Sequence, residues 1–292
     1  MVIPTKKLKN GFEMPVFGLG TYAMGQGSPE DDQKDISAIT ASIKLGITHI
    51  DTAEVYSNGH TEELVQKGIE DFDRKKLFLV SKAEASHLNH ADIKHALKNS
   101  LKRLGTNYLD LYLMHRCPEE GKFKETVFAM NELVEEGLVR YIGLSNTNTE
   151  HTKRLCALSR HPFVANQVHY NLQFREPQKD GLVEYCQKND MMLIAWRPVN
   201  KGSLTKSGVD ITRSGIKILD AMCEKYHKTP AQIAINWLVT QSNITTIAKS
   251  SNPQHLKENL GGIGWRMDDA DVEILKKEFP DQRFLSDTVP LA

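Results

Sequence analysis

A (β/α)8 TIM barrel, of α/β class and preceded by an N-terminal β-hairpin, is the fold that three features of the sequence predict. Eight short apolar segments, over residues 16–20, 47–51, 77–82, 109–115, 141–146, 164–170, 191–196 and 244–249, alternate with longer amphipathic ones. The short segments are almost continuously hydrophobic, as strands of a parallel sheet covered on both faces must be. The connections are short, and no linker rich in Pro, Gly or Ser divides the 292 residues. A single domain over residues 1–292 is therefore expected, and eight repeats in this length favour a closed barrel over an open doubly wound sheet.

The hairpin comes first. Lys7-Leu8-Lys9 and Phe12-Glu13-Met14-Pro15 flank Asn10-Gly11, a pair suited to a type I′ turn, in which both central residues have positive φ. Pro15 confines the second arm to an edge, and the hairpin is placed to plug one end of the barrel. Helices are predicted over 30–45, 60–71, 90–104, 122–137, 149–160, 179–189, 214–240 (two, divided before Pro230) and 253–260. Ile93, Ala96, Leu97, Ser100, Leu101 and Leu104 form one stripe at helical spacing. Asn148 is a candidate N-cap, and Thr229-Pro230 combines a capping hydroxyl with a proline at the first helical position. The longest irregular stretch, 197–214, reads as a functional loop over the barrel mouth.

Composition narrows the choice of function. Lys plus Arg and Asp plus Glu both number 37, so the net charge offers nucleic acid or an anionic membrane no attraction. Residues 1–7 lack the apolar core of a signal peptide, and no apolar run approaches the ~20 residues needed to cross a bilayer. Cys117, Cys156, Cys186 and Cys223 are widely spaced, with no C-x-x-C pair, which argues against a zinc knuckle or a disulfide framework. A cytoplasmic protein with reduced thiols is expected.

In a (β/α)8 barrel the chemistry collects at the carboxyl ends of the strands. There the second strand offers Asp51, with Tyr56 just beyond; the third ends in Lys82 and the fourth in His115. Each alone has an ordinary explanation: a loop cap, a surface ring, a solvated lysine, a core histidine. Together they compose an acid catalyst. A phenol has a pKa of ~10. An ammonium ~4 Å away at an effective dielectric of ~20 favours the phenolate by ~4 kcal/mol, or ~3 pK units. Lys82 is thus expected to bring Tyr56 toward neutral pH, with Asp51 holding Lys82 and His115 donating a hydrogen bond to a carbonyl oxygen. Neither Gly-x-Ser-x-Gly nor His-Glu-x-x-His occurs. A site that can protonate a carbonyl oxygen without attacking its carbon needs hydride from elsewhere, which implies a nicotinamide cofactor.

Asp51-Thr-Ala-x-x-Tyr56, Leu79-Val-Ser-Lys82, Leu111-Tyr-Leu-Met-His115, Gly143-Leu-Ser-Asn146, Ala165-Asn-Gln-Val168 and Lys249-Ser-x-Asn-Pro253 occur in that order. As a set they resemble the aldo-keto reductase family over nearly the whole chain. The 262–271 tail with its Trp265 is most similar to microbial members. The resemblance implies NAD(P)H bound without a Rossmann fold and reduction of aldehydes or ketones. It also implies a tetrad of Asp51, Tyr56, Lys82 and His115, with Tyr56 as proton donor, and a monomer as the default state. A Rossmann reading of Gly18-x-Gly20 fails on spacing and on position after a hairpin.

Carried over motif by motif, the resemblance assigns cofactor contacts to Gly20, Thr21, Tyr22 and Asp51, and carboxamide contacts to Ser145, Asn146 and Gln167. Trp196 stands where the family usually has a stacking Tyr, and an indole offers a flat apolar face too. Arg197, Pro198, Lys201, Gly202, Ser203 and Leu204 resemble the loop that folds over the pyrophosphate. Lys249, Ser250, Ser251, Asn252, His255, Glu258 and Asn259 match the adenosine end, where Lys249 and Ser250 would hold a 2′-phosphate. His255 replaces the family's common Arg and cannot fork onto phosphate, so NADP(H) is expected with NAD(H) tolerated. Substrate contacts are expected from Tyr22, Val55, Tyr56, Glu84, His115 and Arg116, with Cys117 and Arg283–Phe284 near the rim. The charged rim suggests small polar carbonyls, sugars or keto acids. Two other readings stand beside this one: a non-catalytic nucleotide-binding regulatory subunit, which an intact tetrad argues against, and a metal-dependent barrel hydrolase, which would need a His/Asp cluster absent from the strand ends.

Overall fold

The computed structural model describes residues 2–205, 212–280 and 282–292. Residues 206–211 of the expected mouth loop lie outside the described residues. Strands β1 (Thr5–Lys7) and β2 (Glu13–Pro15) form the antiparallel hairpin. The barrel strands are β3 (Phe17–Gly20), β4 (His49–Asp51), β5 (Phe78–Ala83), β6 (Leu109–Met114), β7 (Val139–Ser145), β8 (Phe163–His169), β9 (Met192–Trp196) and β10 (Ile244–Ala248). They pair in parallel in chain order, and β10 closes the ring against both β9 and β3.

Helices α1 (Pro29–Lys44), α2 (His60–Ile69), α3 (His90–Leu104), α4 (Phe123–Glu135) and α5 (Thr149–Leu158) follow β3 to β7. Then come α6 (Glu176–Lys179), α7 (Leu182–Lys188), α8 (Arg213–Tyr226), α9 (Pro230–Thr240), α10 (Pro253–Leu260) and α11 (Asp269–Glu278). The capping chemistry operates as expected. Asn148 accepts from the His151 amide at 2.8 Å, and Thr229 forms a capping box with Gln232 behind Pro230. Among the described residues no helix is long and apolar enough to cross a membrane.

Two local expectations need correction, and one helix was missed. Gly11 has a φ of +90°, but Asn10 is not among the positive-φ residues, so the turn is not type I′. The Gly11 amide donates to Leu8 O at 3.1 Å and the Leu8 amide to Phe12 O at 2.8 Å, a longer loop in which only Gly11 turns left-handed. Asp190 explains the choice: its carboxylate accepts from the Lys9 and Asn10 amides at 2.7 and 2.6 Å and holds the loop against the barrel. The single helix expected over 179–189 is two, α6 and α7, because Gly181 adopts a φ of +83° between them. Helix α11 was not anticipated. Its buried face is narrow, carried by Val272 and Leu275, which left little periodicity to detect.

Side chains that point into the barrel occupy alternate strand positions. The hairpin closes the amino-terminal end: Leu8, Phe12 and Met14 pack with Val80, Leu111, Leu113, Ala165, Met192, Ile194 and Ile247. Continuing the same alternation upward places Asp51, Lys82, His115, Ser145, Gln167 and Trp196 inward at the opposite rim.

Two glycines make the interior fit. A Cβ on Gly143 would lie 2.5 Å from Leu113 Cδ2, and one on Gly18 would overlap the His49 ring. Gly18→Ala is therefore expected to destabilise the fold by about 1–3 kcal/mol, an overpacking cost read as a lower urea midpoint with an unchanged slope.

Candidate active site

The polar cluster begins with a buried ion pair. Lys82 Nζ lies 2.6 Å from Asp51 Oδ1, and the two side chains are 0% and 1% exposed. Lys82 also donates to the carbonyl of Thr52 at 2.7 Å, while Gln167 Nε2 donates to Asp51 Oδ2 at 2.7 Å. Burial opposes the Lys82 charge, but Asp51 and Tyr56 together outweigh it and hold the pKa above the usual lysine value.

Tyr56 opens a tight turn, Tyr56–Gly59, in which Ser57, Asn58 and Gly59 all have positive φ. Hydroxyls of Ser57 and Thr61 both donate to Met24 O, at 2.9 and 2.7 Å, and hold that turn under the loop after β3. The Tyr56 ring then sits 5.2 Å from Lys82 Nζ, edge-on to His115 at 5.7 Å and to Tyr22 at 5.4 Å. Asp51, Tyr56, Lys82 and His115, drawn from three strand ends, do converge.

The expected lowering of the Tyr56 pKa is not what the fold produces. Desolvation of the phenolate outweighs the neighbouring Lys82 ammonium, whose charge Asp51 already balances, and Tyr56 titrates above the ordinary tyrosine value. The phenol is thus fully protonated at neutral pH, the form a proton donor needs. Burial first, then the charges of Lys82 and Arg116, depress His115 to about 3. Its imidazole is neutral, with one nitrogen able to donate.

On the far side of the mouth, Ser145 Oγ donates to Gln167 O at 2.8 Å. Asn146, at a φ of +54°, donates through Nδ2 to Ser145 Oγ and to His115 O. Trp196 is half-buried; its indole N–H donates to Asn146 Oδ1 at 3.3 Å, which fixes the Asn146 amide. Behind it His169 is sandwiched between Trp196 and Phe174, with ring centroids 4.1 Å away on each side. Ser286 lies 2.9 Å from His169 Nδ1, which brings the carboxyl-terminal segment to the same wall.

The 197–204 stretch carries Arg197, Asn200, Lys201 and Gly202 at positive φ. Asp287 lies 3.4 Å from Arg197 and 4.0 Å from Lys201. Pro198 and Leu204 are buried, Leu204 within the main core, so Leu204 offers this loop packing rather than an outward side chain. At the rim after β10, Lys249, Asn252 and His255 are exposed, Glu258 is half-buried, and Ser250 and Asn259 are buried. Gly20 and Thr21 are buried at the end of β3, with Thr21 Oγ1 donating to Asp51 O at 2.9 Å.

These donors fit a dinucleotide. A half-buried indole lies beside fixed amides at one side of the mouth. At the neighbouring strand end, after β10, Lys249, hydroxyl-bearing serines and the amino-terminal end of α10 are groups that could bind an anion.

Of the substrate-rim residues, Tyr22, Val55 and Arg116 are exposed and Glu84 is half-buried. Arg116 is exposed, and its charge reaches His115, whose pKa it helps to lower. Cys117 is a filler: burial raises its thiol to about 11. Arg283 is tied to the loop after β8 through backbone bonds with Gln173 and Arg175, leaving Phe284 exposed.

Sequence reasoning passed over Glu54, His49 and His169. Glu54 lies inside the Asp51–Tyr56 motif and accepts from the Glu84 amide at 2.6 Å and from His87 at 3.0 Å, joining the loops after β4 and β5. His49 was visible only as part of an apolar strand; it points into the barrel two residues before Asp51, as strand alternation requires.

Burial holds His49 at about 4 and His115 and His169 at about 3, against about 6.5 for an unfolded histidine. The unfolded chain therefore binds more protons in this interval. The stability these neutral rings contribute is complete above pH ~6.5 and is lost as pH falls toward 4. Thermal melts across that range should show a progressive drop in Tm, weaker in His49→Gln.

Comparison with known proteins gives one family. Residues 16–278 match the model described as Aldo/keto reductase family. The chain is 31% identical to glyoxal reductase of Bacillus subtilis, covering 96% of this chain and 94% of that one. It is 30% identical to methylglyoxal reductase of Escherichia coli, covering 91% and 92%. A crystal structure of an aldo/keto reductase from Klebsiella pneumoniae, in complex with NADP and acetate, is 29% identical with a TM-score of 0.84 and full coverage of both chains.

Proposed function

The chain belongs to the aldo/keto reductase family, and from that premise we propose that it reduces small aldehydes or ketones to alcohols with NADP(H), Tyr56 acting as general acid. The observation that carries the reading is the Lys82–Asp51 pair beneath the Tyr56 ring with His115 edge-on beside it. Bound NADP(H) would supply the hydride. The chain's own residues do the rest. Trp196, held by His169 behind and Asn146 beside, offers a flat face on which the nicotinamide would stack, and Ser145, Asn146 and Gln167 would bond its carboxamide. Lys249, Ser250 and Asn252 are the groups that would take the adenosine end, with Glu258 and Asn259 beneath them on α10.

A carbonyl entering between Tyr56 and His115 meets two donors. Neutral His115 donates one hydrogen bond and orients the oxygen. Tyr56 delivers its proton as charge builds there, because an alkoxide is far more basic than a phenolate, even one whose pKa burial has raised. The phenolate left behind is stabilised by Lys82, which Asp51 and the Thr52 carbonyl keep charged and in place.

The names of the bacterial relatives point to 2-oxoaldehydes, and the solvent-facing Arg116 supports small polar or acidic carbonyls. The reading includes a cytoplasmic location, which the free cysteines among the described residues support, and a monomer, the state that the family resemblance implies. Mixing the protein with NADPH and nitrobenzaldehyde or methylglyoxal and following the loss of reduced-nicotinamide absorbance tests it. Binding of NADPH without turnover on any aldehyde would favour a regulatory role. Because His255 replaces a guanidinium, NADPH is expected to be preferred over NADH by less than about a thousandfold in kcat/KM, or about 4 kcal/mol.

A further inference from the structure

We propose that Asp35, a buried carboxylate on α1 that nothing in the catalytic cluster uses, is a specificity-determining residue that weakens the hold of Lys249 on a 2′-phosphate and so lets the adenosine end accept NAD(H) beside NADP(H). The inference rests on the dinucleotide reading above and concerns one side chain of it.

Asp35 is anchored from two directions. The Gly25 amide donates to Oδ2 at 3.0 Å, and Ser251 Oγ donates to Oδ1 at 2.7 Å. Gly25 belongs to the loop after β3, and Ser251 to the loop after β10. With both oxygens engaged and the side chain buried on a helix, the carboxylate cannot swing away. Lys249 Nζ donates to the same Ser251 Oγ at 2.9 Å. The three groups form a chain, Lys249 to Ser251 to Asp35, in which each donates to the next.

The consequence is electrostatic. Lys249 is the cation expected to meet a 2′-phosphate, and a fixed negative charge stands one hydroxyl behind it. A phosphate on the outer side of Lys249 feels both charges. The carboxylate is the more distant, yet it is held by protein on one side and screened less than a surface group would be. The 2′-hydroxyl of NAD(H) carries no charge and is indifferent to Asp35. The neighbouring His255 adds no guanidinium to restore the balance. Asp35 and His255 therefore act in the same direction, toward a site that discriminates weakly between the two dinucleotides.

The probes are adenosine 2′,5′-bisphosphate and adenosine 5′-monophosphate, which differ only at the 2′ position, titrated calorimetrically into the full chain. Asp35→Asn retains an acceptor for Ser251 and removes the charge. It is expected to bind the bisphosphate about three- to tenfold more tightly than the unsubstituted protein, with affinity for the monophosphate unchanged within about twofold. The gain should shrink as salt rises from 50 to 500 mM, which a purely positional effect would not do. Asp35→Ser serves as a second neutral variant should the amide disturb the Gly25 contact, and Asp35→Glu, which keeps the charge, should leave the ratio near that of the unsubstituted protein. A bisphosphate-to-monophosphate ratio that is unchanged or lower in both neutral variants overturns the proposal. If the unsubstituted protein binds neither nucleotide nor NADPH, it is the dinucleotide reading that has failed.

Discussion

Tyr56→Phe is expected to lower kcat/KM for carbonyl reduction by about a thousandfold, within the 10²–10⁴ that a positioned general acid contributes. The substitution removes one oxygen and leaves the ring, so its edge contacts with Tyr22 and His115 persist. Binding of NADPH, followed by fluorescence, should change little. That split between lost turnover and retained binding is what separates a proton donor from a residue that merely shapes the pocket. Turnover that survives unchanged in Tyr56→Phe would remove the proposed mechanism even if the protein reduces aldehydes. Because burial raises the Tyr56 pKa, the reduction rate should stay flat through neutral pH and fall only above the ordinary tyrosine range, about 10. His115, held at about 3, adds no acid limb near neutrality.

Lys82→Met should cost both activity and stability. Lys82 and Asp51 are buried together, and a carboxylate stripped of its ammonium keeps, among the described residues, only Gln167 as a side-chain donor. Breaking a buried pair from one side costs about 3–5 kcal/mol, because the remaining charge is left uncompensated. A urea titration should therefore show a marked fall in the midpoint. In Lys82→Met/Asp51→Asn much of the stability should return, since no charge remains to be buried unpaired. Activity should not return with it. With no ammonium to stabilise the phenolate, kcat is expected to stay about 10²–10⁴-fold down in both variants. A double variant that regained turnover along with stability would show that the pair serves the fold alone.

The expected fold was legible because closed parallel barrels leave strong traces: buried strands with little polar interruption, and helices with a clear apolar stripe such as Ile93 to Leu104. The inward placement of Asp51, Lys82 and His115 was legible for a related reason. Strand ends are short and alternation is strict, so a polar residue ending an apolar run has one place to point. Elements with weaker traces were misread. Helix α11 buries too few side chains to show a period, and the Asn10-Gly11 turn answers to Asp190, some 180 positions further along the chain. His169 looked like one more residue of a buried strand, yet it stacks behind Trp196 and shares a hydrogen bond with Ser286 of the carboxyl-terminal segment.

The order of amino acids settles which groups exist and, through the two-residue period of a strand, which face the barrel mouth. It therefore carried the barrel, the Asp51–Tyr56–Lys82–His115 set and the family. Folding decides the strengths. Whether Tyr56 titrates below or above an ordinary phenol depends on how completely water is excluded and on how much of the Lys82 charge Asp51 has already cancelled. How strongly Lys249 would attract a 2′-phosphate depends, on the proposal above, on Asp35, which reaches the loop after β10 only through the folded contact with Ser251. Desolvation and through-space charge are properties of neighbours in space, and no local pattern in the chain encodes them.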